Sequence, residues 1–168
     1  MRKLDNINIG IYEKALPKNI SWEERIKLVK ECGYDFMEIS IDETDERLAR
    51  LEYSKEEIKQ IRDYLLDADV RIPSMCFSGH RRFPMGSMSQ ETRDKAMELM
   101  EKAIVFADRV GIRTIQLAGY DVYYEEGNEQ TKKYFIENLK RSVKWAESMN
   151  ITLAIEIMDH KFINSITK

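Results

Sequence analysis

The stretch TLAIEIMDHK, residues 152–161, decides how the rest of the chain is read. Leu153, Ala154, Ile155, Ile157 and Met158 form an apolar run of the kind that fills a buried strand of a parallel sheet. Glu156 interrupts it, and a carboxylate inside such a run is costly unless it is paired, neutralised or bound to a cation. Its partners must come from earlier in the sequence, from another chain or from a segment not present. Asp159 and His160 follow at once; carboxylate with imidazole suits a divalent cation such as Mn2+, but neighbouring residues on a strand point to opposite faces, so E-x-x-D-H is a weak metal signature.

Working backwards, short apolar runs alternate with amphipathic stretches. INIGIY (7–12), DFMEISI (35–41), VRIPSMCF (70–77), RTIQLA (113–118) and LAIEIM (153–158) read as strands. The first intervening helix opens with Ser21 and Glu24 at capping-box spacing and stops at Gly33. The second opens with Ser54 and Glu57 and runs to about Ala68. A long third helix fills about 90–110 before Gly111, and a fourth runs from near Asn128 to Asn150, an acceptable left-handed stop.

Four β-α repeats and a fifth strand predict parallel pairing through helical crossovers. Each unit takes about 36 residues, so eight units need roughly 290, in the range of a (β/α)8 barrel. Five strands do not close a barrel: the sheet is either open and doubly wound or the first part of a barrel. No glycine-rich phosphate fingerprint follows any strand, as a dinucleotide-binding sheet would require. Polar and aromatic residues gather instead at strand C-termini: Tyr12 and Glu13, Asp42 and Glu43, His80 to Arg82, Tyr120 and Asp121, Glu156 and Asp159. Barrel enzymes draw their catalytic residues from there, so the expectation is a partial (β/α)8 barrel, 1–168 forming the N-terminal portion of one domain.

The bulk numbers narrow the function. The 168 residues, 43% hydrophobic and 34% charged, carry a formal net charge of -3, which attracts neither nucleic acid nor an anionic membrane. No apolar run reaches the roughly 20 residues of a membrane span, MRKLDNINIG has no secretory apolar core, and two cysteines are too few for a disulfide framework. A soluble cytoplasmic domain is expected.

Several residues are candidates for chemistry. Glu156 is either a metal ligand and proton-transfer base at the top of a barrel or a structural carboxylate paired with a nearby cation. Glu38, mid-strand in FMEIS, lines the site or pairs within the core, and structure is the stronger reading. Asp42 to Asp45 suit a helix start. His80, Arg81 and Arg82 are the one concentrated basic spot; they could hold a phosphate, although a solvated loop reads slightly better. Tyr120, Tyr123 and Tyr124 could wall a small polar ligand or pack beneath their loop.

GIYEKALP, DETDERLARL, PSMCFSGHRRFPMGS, IQLAGYDVYYEE and LAIEIMD together closely resemble the L-ribulose-5-phosphate 3-epimerases (L-xylulose-5-phosphate 3-epimerases) of bacterial L-ascorbate and pentose use, across essentially all 168 residues. Some relatives carry the older label hexulose-6-phosphate isomerase. The resemblance implies a xylose-isomerase-like barrel, a homodimer, a sugar-phosphate substrate and one divalent metal, Mn2+ first, with Zn2+, Co2+ or Mg2+ as alternatives. In that family the metal is held by a Glu at the end of strand five and by an Asp, a His and a second Glu on later strands. Only the first has a counterpart here, Glu156. The implied reaction removes the C3 proton of a metal-bound ketose and returns it to the opposite face, using two carboxylates. Tyr12, Glu38, His80, Arg81, Arg82 and Tyr120 are the expected substrate contacts. With three ligands unmatched, the chain alone is expected to be inactive or nearly so, its first and fifth strands leaving open edges. The rivals are an aldose-ketose isomerase, a non-catalytic partial barrel and, last, a barrel endonuclease, which needs more than the two histidines present.

Overall fold

Strand order separates the two architectures that the sequence leaves open. In the computed structural model, which describes residues 7–159 and 162–165, five parallel strands lie in the order β1-β2-β3-β4-β5. They are β1 (Gly10–Tyr12), β2 (Phe36–Ile41), β3 (Ser74–Phe77), β4 (Thr114–Ala118) and β5 (Thr152–Glu156). A doubly wound sheet reverses order at a switch point; here each strand pairs with its sequence neighbour, as in a barrel wall.

The crossovers are α1 (Trp22–Glu31), α3 (Lys55–Ala68), α4 (Gln90–Val110) and α5 (Glu129–Ser148). Both expected capping boxes form: Ser21 with Glu24, and Ser54 with Glu57. Gly33, Gly111 and Asn150 take the left-handed backbone expected after their helices, with φ of 81°, 99° and 54°. The sequence reading gives no separate helix between β2 and α3; the structure places the five-residue α2 (Asp45–Ala49) there, capped by Thr44, followed by a 3-10 turn at Arg50–Glu52. Further 3-10 turns lie at Glu13–Ala15 and Gly79–Arg81.

The two faces of the sheet differ in chemistry. Met37, Ile39, Ile41, Met75, Phe77 and Ile115 are 0% exposed and pack in one core with the apolar stripes of the helices. Burying side chains of this size stabilises by about 2 kcal/mol each. The alternate residues face the other, concave side. Tyr12 is in register with Glu38, Ser40 with Cys76, Cys76 with Gln116 and Ala118 with Glu156, and residues in register share a face. The concave side is thus polar, and only partly covered.

Candidate active site at the strand C-termini

Glu156 ends β5 on this concave face, with its side chain exposed. Its carbonyl accepts a hydrogen bond from the Gly119 amide at 3.0 Å, which fixes the last turn of β4 against it. The carboxylate is near enough to Cys76, two strands away, to act on it. Burial raises the Cys76 thiol above its ordinary range, a hydrogen bond with Tyr12 pulls it back, and the charges of Glu38 and Glu156 push it up. Glu38 accepts a hydrogen bond from the Ser74 hydroxyl at 2.5 Å.

Tyr12 closes the β1 side. Burial pushes its phenol up to about 12, with the Ser40 hydroxyl acting in the opposite direction. On the β4 side Tyr120 is 2% exposed. Its phenol is raised by burial and held back by the Arg81 guanidinium beside it. Arg81 also lies over the Tyr123 ring at 5.0 Å, and Tyr123 packs edge-on against Tyr124. The Tyr124 hydroxyl donates to Glu43 at 2.9 Å, tying the loop after β4 to the loop after β2.

Not every expected contact gathers here. The structure places His80 elsewhere: it is 5% exposed, its ring meets Phe77 edge-on at 4.6 Å, and its Nε2 lies 3.4 Å from the Ala96 carbonyl of α4. Phe77 belongs to the helix-facing side, so His80 does too, and burial lowers its pKa to about 4. Arg82 pairs with exposed Asp45 at 2.6 Å and stacks on Phe83, apart from the phenols that Arg81 meets. Asp42 accepts from the Thr44 amide and hydroxyl and pairs with Lys14 at 2.7 Å, the loop role expected of it. Asp159 sits in an exposed bend, and His160 lies outside the described residues.

Two residues escaped the sequence reading. Cys76 is central to the concave face, and the signal was available in SMCF, where it shares the parity of Ser74. Glu13, grouped only with strand-end polar residues, is 0% exposed and surrounded by arginines.

A divalent metal needs several donors at one point. Among the described residues no group of three or more His, Cys, Asp and Glu side chains is placed to hold one. Glu156 is a single donor, so these residues do not by themselves fit a metal centre. Among them, also, no helix is long and apolar enough to cross a membrane.

Sequential parallel strands, crossover helices and polar residues at the strand C-termini define a barrel of the (β/α)8 class, of which the described residues supply four β-α units and a fifth strand. A sequence profile of the family described as xylose isomerase-like TIM barrel matches residues 26–168. The chain belongs to that family. It is 53% identical over 162 residues to the L-ribulose-5-phosphate 3-epimerase UlaE of Shigella boydii, covering 96% of this chain and 57% of that protein. The same values hold for the enzyme of that name in an Escherichia coli strain. The chain therefore spans little more than half the length of these relatives. Among solved structures it resembles a D-psicose 3-epimerase with D-tagatose from Clostridium cellulolyticum, with a TM-score of 0.78 and 15% identity over 95% of this chain and 56% of that one. An L-ribulose 3-epimerase gives a TM-score of 0.68 at 18% identity, over 92% and 50% of the two chains. At such identities these structures support the fold alone.

Proposed function

We propose that residues 1–168 are the strand one-to-five portion of a single barrel domain in an epimerase that inverts C3 of L-ribulose 5-phosphate or L-xylulose 5-phosphate. The observation that carries this is the 53% identity over 162 residues with a protein named for that activity. The setting is cytoplasmic L-ascorbate and pentose breakdown, and the assembly is a homodimer.

Inverting C3 removes the proton beside the C2 carbonyl, leaves an enediolate and returns a proton to the opposite face. Two acid/base groups are needed, one on each face. Glu156 is one of them, at the strand C-terminus where barrel chemistry takes place. Arg81, held between the phenols of Tyr120 and Tyr123, takes the phosphate, because its guanidinium fork matches phosphate oxygens. Tyr12, Glu38 and Tyr120 line the sugar. The resemblance implies a divalent cation, Mn2+ foremost, but the described donors do not complete its site, and no step here runs through it. With one of two proton-transfer groups in place, the 168-residue chain alone is inactive or nearly so.

The test is a hybrid in which this chain replaces the matching segment of the Escherichia coli relative. L-Xylulose 5-phosphate formed from L-ribulose 5-phosphate supports the proposal. An aldose product makes the protein an isomerase between C1 and C2, and no turnover by a folded hybrid contradicts both readings.

A further inference from the structure

Glu13 is the most completely buried acid among the described residues, and nothing in the proposed reaction uses it. We propose that Glu13 is a positioning residue for Tyr12: its carboxylate clamps the C-terminal end of β1 to β2 and to three arginines, and so fixes where the Tyr12 phenol enters the concave face. This rests on reading Tyr12 as a substrate contact.

The geometry is specific. β1 is only three residues long, and its register with β2 ends at Tyr12 opposite Glu38. Two residues further along β2, the Ser40 amide donates to Glu13 Oε2 at 2.9 Å. A side chain thus continues the β1–β2 tie where the backbone ladder stops. Arg50 grips the same carboxylate with both prongs of its fork, at 2.9 Å and 2.8 Å. Arg47 of α2 approaches Oε1 at 2.5 Å, and Arg25 of α1 at 3.4 Å.

Each end of this clamp is anchored elsewhere. Arg25 donates to the carbonyls of Pro17, Lys18 and Ile20, which fixes the loop after β1. Arg50 lies over the Trp22 ring at 4.7 Å. Arg25 and Arg50 therefore do not follow a displaced carboxylate. Burial alone would raise the Glu13 pKa, but Arg50 and the other donors outweigh it and hold the group charged. Tyr12 precedes Glu13 directly, and Ser40, whose amide donates to the clamp, stands two residues beyond Glu38, the register partner of Tyr12, on the same face of β2.

A purely structural ion cluster would change stability when altered and leave the environment of Tyr12 in the folded protein as it was. The experiment labels tyrosine ring Cζ with 13C in the 168-residue chain, assigns Tyr12 with Tyr12→Phe, and repeats the spectrum with Glu13→Gln. That variant keeps the side-chain shape and removes the charge. The expected result is a shifted, broadened Tyr12 signal with those of Tyr64 and Tyr134 unchanged. An unmoved Tyr12 signal in folded Glu13→Gln overturns the proposal. If that variant does not fold, Arg50→Lys keeps the positive charge, breaks the fork and is judged by the same signal. No turnover is measured, so an inactive hybrid, which would count against the epimerase reading, leaves this result intact.

Discussion

The Gly119 amide donates to the Glu156 carbonyl at 3.0 Å, and a Cβ on residue 119 would come within 2.5 Å of that same oxygen. It would also meet the Ile163 side chain at 3.0 Å. The glycine allows two strand ends to close where Glu156 leaves the sheet. Gly119→Ala should destabilise the chain by about 1–3 kcal/mol, the usual cost of forcing extra volume into a packed site. Urea unfolding measures this, and an unchanged midpoint would show that β5 tolerates displacement.

His80 predicts a pH dependence. Its folded pKa of about 4 lies below the ordinary 6.5, so the unfolded chain takes up its proton first as pH falls. Stability is complete above pH 6.5, declines below it and levels off beneath about 4. The loss reaches about 2 kcal/mol by pH 5. The lowered carboxylates Glu13 and Asp42 act only from the ordinary carboxylate range downward, so among the described residues the slope between pH 6.5 and 5 belongs to His80. His80→Leu should flatten that slope in pH-dependent urea titrations; a slope as steep as the wild type's would assign it elsewhere.

The two adjacent arginines should behave differently. In the hybrid, Arg81→Ala is expected to raise KM for the phosphorylated ketose about tenfold or more, from the loss of charge-assisted hydrogen bonds worth about 1.5–3 kcal/mol. Arg82→Ala removes an exposed pair with Asp45, worth about 0–1 kcal/mol, and the stacking on Phe83, and should leave KM unchanged. Equal effects would place the phosphate outside the Arg81 pocket.

Thiol titration provides a further check. Cys32 is exposed and Cys76 partly buried, with burial and two carboxylates keeping the Cys76 thiol protonated. Because the thiolate is the reacting species, an aromatic disulfide reagent near pH 8 should react quickly with one thiol and reach the second on denaturation. Two fast equivalents would mean that Cys76 is neither shielded nor depleted of thiolate.

Local signals carried the fold. Capping pairs such as Ser54 with Glu57, stops such as Gly111, and apolar runs such as LAIEIM are written in adjacent residues, and they placed all five strands and four of the five helices. The short α2 was missed because five residues give too little periodicity. The site was less legible because its contacts join distant positions. Glu13 meets Arg50 across 37 residues, and no local pattern announces that meeting. GHRRFP read as one basic patch, yet the turn at Gly79–Arg81 sends its side chains to different places. His80 goes into the core and Arg81 to the phenols, while Arg82, just past the turn, goes to the surface. Glu156 stood out because its apolar neighbours made a carboxylate anomalous.

The most direct measurement is deuterium entry at C3 of L-ribulose 5-phosphate in D2O, followed by NMR for the folded hybrid and for its Glu156→Gln variant. The expected result is exchange with epimerisation in the hybrid and a loss of at least about a hundredfold in the variant, in line with the worth of a positioned acid/base group. Undiminished exchange in Glu156→Gln would contradict the role assigned to Glu156.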